Sequence, residues 1–225
     1  MTHPRISHRW ALGIALAVAL PFAATATANS NTYKLALTTP DSAAARAVML
    51  EKTDIGSPSD WQGGATKHDV ATALSCANFH LRLSDLVITG EAAVSFRQAG
   101  IVMASSAEVF QTPRMVALDL QRSVDSPHFF SCLRSLVLKT SSAKARVVSF
   151  RKLVFPTTGE RSVGFRELID VKTANGTVRV ASDSLSTVKG RTELSLETTT
   201  PVASLPTIWP NELVLLAQLV NRARV

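Results

Sequence analysis

The chain has few of the residues on which enzymatic and metal sites depend. It contains two cysteines and five histidines in 225 residues. His68, His80 and His128, the histidines beyond the N-terminal segment, are not spaced as metal-binding pairs. The sequence also lacks an H-E-x-x-H motif, a G-x-S-x-G motif, a glycine-rich phosphate loop and an EF-hand loop. It therefore predicts no catalytic residue, no metal and no cofactor.

Residues 1–28 are predicted to be an export signal. Arg5 and Arg9 give a positive start, Trp10–Phe22 is an uncharged apolar stretch, and Ala26–Ala28 is a small-x-small cleavage site. A retained membrane anchor is the alternative, but the apolar stretch is short of the roughly 20 residues that a spanning helix needs. No comparable apolar run follows, so we expect no stable membrane span after cleavage.

The remaining part, residues 29–225, has the length of one domain, and we expect a monomer. It carries 22 basic and 17 acidic residues, a formal charge of +5. A basic surface favours anionic partners such as envelope polymers or lipid head groups, although an exported protein of this charge needs no such partner. The cations Arg146, Arg151 and Lys152 fall on both faces of one strand, and Phe150 is the one aromatic residue between them, so the sequence does not indicate nucleic-acid binding.

The two cysteines, Cys76 and Cys132, lie in the exported part. Thiols usually pair in an oxidising compartment, and two cysteines allow one intramolecular bridge. The alternative is a catalytic thiol beside His80 or His128, but no cysteine-protease signature surrounds either residue. We expect a disulfide that closes a loop of about 57 residues.

Hydrophobic periodicity predicts an α+β fold. Helices are expected at Thr39–Leu50, Asp69–Ala77, Pro113–Val124, Phe129–Leu136 and Asn211–Ala223. Strands are expected at Leu86–Arg97, Ile101–Phe110, Arg146–Phe155, Val163–Ala174, Thr177–Val188 and Thr192–Thr198. Because these six strands follow one another as hairpins, we predict an antiparallel sheet of about six strands with helices packed on it. Asn175-Gly176 predicts a type I′ turn, and the proline-rich stretch Pro201–Pro210 predicts a connector.

Two residues are candidates for ligand binding. Trp61 lies in a glycine-rich loop, where it either covers an edge of the core or offers a flat surface to a ligand. Glu167 shares a strand face with the apolar residues Phe165 and Ile169. It either is an acid in a pocket with a shifted pKa or lies at a sheet edge or bulge.

Several segments carry a resemblance to a known family. They are the loop from Asp54 to Trp61, Asp85–Glu91, Glu108–Thr112, Phe130–Arg134 and Val188–Arg191, followed by a leucine-rich terminal helix. The order of these segments resembles secreted actinobacterial proteins that look like the extracytoplasmic sensor domain of PknH-type serine/threonine kinases. The resemblance is strongest over residues 85–225.

The resemblance implies an antiparallel sheet with helices around a cleft, a Cys76–Cys132 bridge and binding of an extracellular ligand without catalysis. The sensor domains usually have two disulfides, whereas this chain can form one. Our first hypothesis is a secreted or cell-envelope protein that binds a small molecule, a lipid or an envelope polymer. The alternatives are a small hydrolase whose site matches no motif and a structural or interaction protein of the envelope.

Overall fold

The computed structural model describes residues 31–68, 74–139 and 142–223. The predicted export signal and its cleavage site lie outside these residues. The predicted helix at Asp69–Ala77 lies partly outside them, and where it is described the chain forms a short strand at Ser75–Cys76.

The described residues form four α-helices and ten strands. The helices are α1 Thr39–Ala47, α2 Pro113–Arg122, α3 Phe129–Lys139 and α4 Leu205–Arg222. The strands are β1 Lys34–Leu35, β2 Gln62–Ala65, β3 Ser75–Cys76, β4 Phe79–His80, β5 Val87–Gln98, β6 Ile101–Phe110, β7 Ala145–Lys152, β8 Arg161–Thr173, β9 Gly176–Lys189 and β10 Thr192–Pro201. Two 3-10 turns, Lys52–Asp54 and Val202–Ser204, complete the described elements.

Eight strands form one sheet in the order β1-β5-β6-β10-β9-β8-β7, with β2 also paired to β5, while β3 and β4 pair separately. The α+β class is confirmed, but the prediction of a purely antiparallel sheet of about six strands is wrong. β1 runs parallel to β5, so the sheet is mixed. The two added strands, of two and four residues, are too short to show the alternation that reveals a strand.

One turn lies a residue away from its predicted position, and two helices begin with a threonine cap. The β8–β9 hairpin forms as predicted, but its turn lies at Ala174-Asn175, and only Gly176 has a positive φ, of 119°. α1 is capped by Thr38, whose Oγ1 accepts a hydrogen bond from the Asp41 backbone N–H. Thr112 caps α2 in the same way, with its Oγ1 accepting a hydrogen bond from the Met115 backbone N–H.

α4 begins at Leu205, so the prediction of a connector over Pro201–Pro210 is wrong in its second half. A proline is tolerated in the first turn of a helix because the N–H there has no partner within the helix. Pro210 lies inside the helix and removes one backbone donor. The side-chain amide of Asn211 donates to the Thr207 carbonyl at 3.2 Å, and the apolar face of α4 holds the helix on the sheet.

The two faces of the sheet are covered to different extents. On the first, which we call the covered face, α1 and α4 pack over leucines of the central strands. This core includes Leu185, Leu194, Leu196, Leu215, Leu216 and Leu219. On the second, which we call the cleft face, α2, α3 and the β3–β4 hairpin pack over one part of the sheet. The rest of the cleft face has no helix over it among the described residues.

The Cys76–Cys132 disulfide joins the β3–β4 hairpin to α3. Cys132 is buried in the same apolar cluster as Phe79 and Phe129. The centres of these two rings are 5.9 Å apart in an edge-to-face arrangement. The predicted bridge is therefore confirmed, and it links the two elements that border the cleft face.

Removal of this disulfide should lower the stability of the fold. The bridge connects residues 56 positions apart, and the chain-entropy model assigns such a loop roughly 4 kcal/mol. We expect Cys132→Ala combined with Cys76→Ala to lower the free energy of unfolding by about that amount, measured in urea. Wild type under a reductant is the matched comparison, and equal urea midpoints for oxidised wild type and the double variant would contradict the expectation.

The covered face contains a buried ion pair. Arg166 donates from Nε to Asp183 Oδ1 at 2.5 Å, and a second hydrogen bond joins Nη2 to Oδ2. The ring of Trp209 in α4 lies over the guanidinium, and its centre is 4.8 Å from Arg166 Cζ. Glu212 is 1% exposed beside this pair. Burial, and then the charge of Asp183, raise the pKa of Glu212 to about 9.

Glu212 makes the stability of the protein depend on pH. Because its pKa is higher in the folded than in the unfolded state, the folded protein binds more protons between about pH 4.5 and 9. Stability therefore falls as pH rises through this range. We expect Glu212→Gln to raise the free energy of unfolding at pH 8 by on the order of 2–4 kcal/mol and to flatten its pH dependence. The control is Asp60→Asn at an exposed site, which should change neither the free energy of unfolding nor its pH dependence. A Glu212→Gln protein whose stability varies with pH as in the wild type would refute this role of Glu212.

Candidate functional site

The uncovered part of the cleft face forms a cleft of about 1070 Å³. Its floor consists of β5, β6, β10, β9 and β8, and β2, α3 and β7 contribute to its walls. Its lining residues are Gln62, Gly63, Gly64, Ala65, Thr66, Ser95, Phe96, Arg97, Val102, Ala104, Leu133, Phe150, Phe165, Glu167, Ile169, Val180, Ser182, Ser184, Glu197 and Thr199.

Small side chains on the floor leave the space that forms the cleft. Ala104 lies opposite Glu197, which lies opposite Ser184 on the next strand. Ser182 in turn lies opposite Glu167. No large apolar side chain stands on this part of β9, so a helix placed here would find little apolar surface to bury.

One end of the cleft is aromatic. The rings of Phe150 and Phe165 are 5.5 Å apart with an angle of 16° between their planes. Phe130 of α3 stacks on both rings at 5.5 and 5.9 Å. Leu133 and Ile169 extend this wall. We call Phe150 and Phe165, with these two residues, the aromatic wall.

Two carboxylates, Glu167 and Glu197, stand on the floor next to the aromatic wall. Glu167 lies opposite Phe150 in the β7–β8 pairing, and it follows Phe165 by two residues on the same strand. Burial, and then the charge of Glu197, raise the pKa of Glu167. The side chain of Glu197 is exposed at the cleft, and partial loss of solvation raises its pKa while the charge of His68 opposes the rise. Neither side chain forms a hydrogen bond or an ion pair with any of the residues that the structure describes.

Two basic side chains lie near these acids. Arg97 lines the cleft on β5, at the side away from the aromatic wall. His68 lies 2.8 Å from Glu108, measured from Nε2 to Oε1, and its charge opposes the rise in the pKa of Glu197. The positive groups therefore stand at one side of the cleft, and the aromatic wall with Glu167 stands at the other.

Behind the cleft, α2 covers a second set of acids on the same sheet face. Tyr33 donates a hydrogen bond to Asp119 at 2.8 Å. Burial raises the pKa of Asp119 to about 6 and also raises the pKa of Glu193, with nearby Glu108 adding to both. These side chains lie under the helix and do not line the cleft, so we assign them to the packing of α2.

The structure places the two predicted ligand-binding residues in different surroundings. Trp61 is 5% exposed in the core of the covered face, and its Nε1–H donates to the Ile55 carbonyl at 3.0 Å. Glu167 is half-buried and lines the cleft. Glu197 was not a candidate, although it also lines the cleft, where its side chain is exposed to solvent. The serines that share its face on β9 and β10 were a usable signal, because they indicate a second sheet face without an apolar cover.

The structure contains little that suggests catalysis. Its described ranges hold no group of three or more His, Cys, Asp or Glu residues arranged to bind a metal. The Ser75 hydroxyl lies 2.7 Å from His80 Nδ1, but this pair is on the exposed β3–β4 hairpin and not in the cleft. None of the helices in the described ranges has the length and apolar character needed to cross a membrane.

The chain is similar to two solved mycobacterial structures. It shares 12% identity with the extracellular domain of PknH from Mycobacterium tuberculosis, with a TM-score of 0.49, over 81% of this chain and 95% of that chain. It also shares 12% identity with an Rv0999 ortholog from Mycobacterium smegmatis, with a TM-score of 0.43, over 83% of this chain and 99% of that chain. The predicted resemblance to the PknH-type sensor domain is confirmed. No family model and no curated protein matches the chain.

The cleft acids should lower stability at neutral and alkaline pH. Their raised pKa values mean that the folded protein loses stability as pH rises from about 4.5 through the folded-state values. We expect Glu167→Gln to raise the melting temperature at pH 8 and to leave it nearly unchanged at pH 4, measured by scanning calorimetry. Glu160→Gln, at an exposed site outside the cleft, is the control. A lower melting temperature at pH 8 for Glu167→Gln would count against a strained carboxylate at this position.

Proposed function

We propose that this protein is an extracytoplasmic binding protein that holds a small amphiphilic molecule in the cleft and performs no catalysis. The observation that carries the proposal is the cleft itself, about 1070 Å³ in volume with an aromatic wall at one end and polar groups on its floor. Small-molecule sites are concave, mostly apolar and equipped with a few placed polar groups. The cleft has these properties.

The location outside the cytoplasm rests on two features of this chain. The Cys76–Cys132 disulfide is of the kind that persists in oxidising compartments. The sequence of residues 1–28 is typical of an export signal. A molecule of the envelope or the extracellular medium is therefore the ligand that the cleft would meet.

Binding accounts for the cleft better than hydrolysis does. A hydrolase of the serine type needs a hydroxyl beside a histidine that is itself oriented by an acid. The Ser75–His80 pair lies outside the cleft, and the described hydrogen bonds of the cleft residues Ser182 and Ser184 include no bond to histidine. A concave cleft of this volume also argues against a structural role through a flat charged surface.

The proposal is tested with N-phenyl-1-naphthylamine, a neutral apolar dye whose fluorescence rises when it leaves water. We expect saturable binding to the exported form of the protein and at least a tenfold weaker dissociation constant for Ser184→Trp, whose indole would fill the floor of the cleft. Thr177→Trp is the matched control, since Thr177 is exposed on the same strand and its side chain points to the opposite sheet face.

Circular dichroism of the two tryptophan variants shows whether each retains the fold, and Ala104→Phe is a second way to fill the cleft. Equal dye affinity for wild type and the filled variants, or no saturable binding to wild type, would overturn the proposal. Native mass spectrometry of the protein purified from its own host provides an independent measurement, in which we expect a mass increment that Ser184→Trp removes.

A further inference from the structure

We propose that the ligand of the cleft carries a positively charged ammonium group attached to an apolar body. The ammonium group would lie between Glu167 and Glu197, and the aromatic wall would hold the adjoining apolar part. This inference rests on the proposed binding function and goes beyond it by assigning the charge and shape of the ligand.

The first argument is the pairing of charges across the molecule. Six aspartates form ion pairs with arginines in the described residues. These pairs are Asp41–Arg191, Asp54–Arg222, Asp85–Arg122, Asp125–Arg161, Asp170–Arg179 and Asp183–Arg166. Among the described residues no glutamate pairs with an arginine or a lysine, and Glu108 pairs with His68. Glu167 and Glu197 differ from the other glutamates because they line the cleft, where an acid without an ionic partner can meet a ligand.

The second argument is the position of the carboxylates relative to the rings. Residues directly opposite each other in an antiparallel pair have Cβ atoms about 4.5–5.5 Å apart. Glu167 therefore stands beside Phe150, and Phe165 adjoins it on its own strand. A cation is attracted to the face of an aromatic ring as well as to a carboxylate. An ammonium group on an apolar chain would interact with both the Glu167 carboxylate and the aromatic rings.

The third argument is electrostatic. Partial burial and the charge of Glu197 make the ionised form of Glu167 unfavourable in the cleft, which is why its pKa is raised. The pKa of Glu197 is raised by loss of solvation, and the charge of His68 opposes this rise. A bound cation would offset the repulsion between the two carboxylates and would replace part of the solvation that they lost. An anionic head group at the same position would add to the repulsion.

Among the described residues, Arg97 is the basic side chain that lines the cleft, and His68 is close enough to affect Glu197. Arg97 lies on the far side of the floor, on β5, while Glu197 is on β10 and Glu167 on β8. His68 is engaged with Glu108. We would expect an anionic ligand to bind at Arg97, away from the aromatic wall. Substitutions of Arg97 would then weaken binding of an anion, whereas substitutions of Glu167 and Glu197 would weaken binding of a cation.

The experiment measures displacement of N-phenyl-1-naphthylamine at pH 8 by three amphiphiles with the same twelve-carbon chain, each below its micelle concentration. They are dodecyltrimethylammonium, dodecyl sulfate and neutral dodecyl maltoside. We expect the cation to displace the dye at a concentration at least tenfold lower than the anion. Nonspecific attraction would produce the reverse order, because the protein as a whole is positively charged.

Single substitutions test whether the preference for the cationic amphiphile depends on the two glutamates. Glu167→Gln and Glu197→Gln should each reduce the cation-to-anion ratio to about threefold or less, while Glu160→Gln, an exposed site outside the cleft, should leave it unchanged. The displacement concentrations of each variant are compared with the dye affinity of that same variant. Acidification to pH 4.5 should reduce the preference in wild type, because protonation of the two glutamates removes their charge.

Several outcomes would overturn the inference while leaving the binding function intact. One is equal displacement of the dye by all three amphiphiles. Another is a preference for dodecyl sulfate that Arg97→Gln abolishes. A third is a cation preference unaffected by Glu167→Gln and Glu197→Gln. Absence of dye binding to wild type would overturn the proposed function, so the two failures are distinguishable.

Discussion

The structure depends on the unequal burial of the two faces of its sheet. On the covered face, leucines of β9 and β10 meet leucines of α4, so apolar surface on both elements leaves water together. On the cleft face, the same strands present serines and glutamates, which offer a helix little apolar surface. α2 and α3 therefore pack where phenylalanines and valines stand, and the space beside them remains open.

Charges follow the same division. On the covered face, Asp183 faces Arg166 from the adjacent strand, and Trp209 closes over the guanidinium. A buried charge is tolerated when it is paired and hydrogen-bonded, and this pair meets that condition. On the cleft face, Glu167 and Glu197 remain without an ionic partner among the described residues. Residues kept in an unfavourable electrostatic environment are frequent at binding sites, where a ligand compensates for the cost.

Sequence periodicity predicted the six long strands and the helices α1, α2 and α3, because each depends on neighbouring residues. The cysteine count predicted the disulfide. It missed β1 and β2, which are defined by pairing to β5 and carry no pattern of their own. It placed the start of α4 too late, since Pro206 and Pro210 indicate a connector unless the sheet offers an apolar surface. Alternation placed Glu167 on one strand face with Phe165, but it did not show that Glu197 lines the same cleft, because alternation shows which residues share a face and not what stands around that face.

The sequence by itself determined the types of most elements, their order and the single possible disulfide, because local geometry and composition decide these properties. Only the tertiary structure decided that Glu167 on β8 and Glu197 on β10 share one cleft with the aromatic wall. The reason is register: β9 lies between β8 and β10, and its pairing with each brings residues thirty positions apart onto the same floor. The surroundings of a strand face depend on elements from distant parts of the chain, and these meet only in the folded protein.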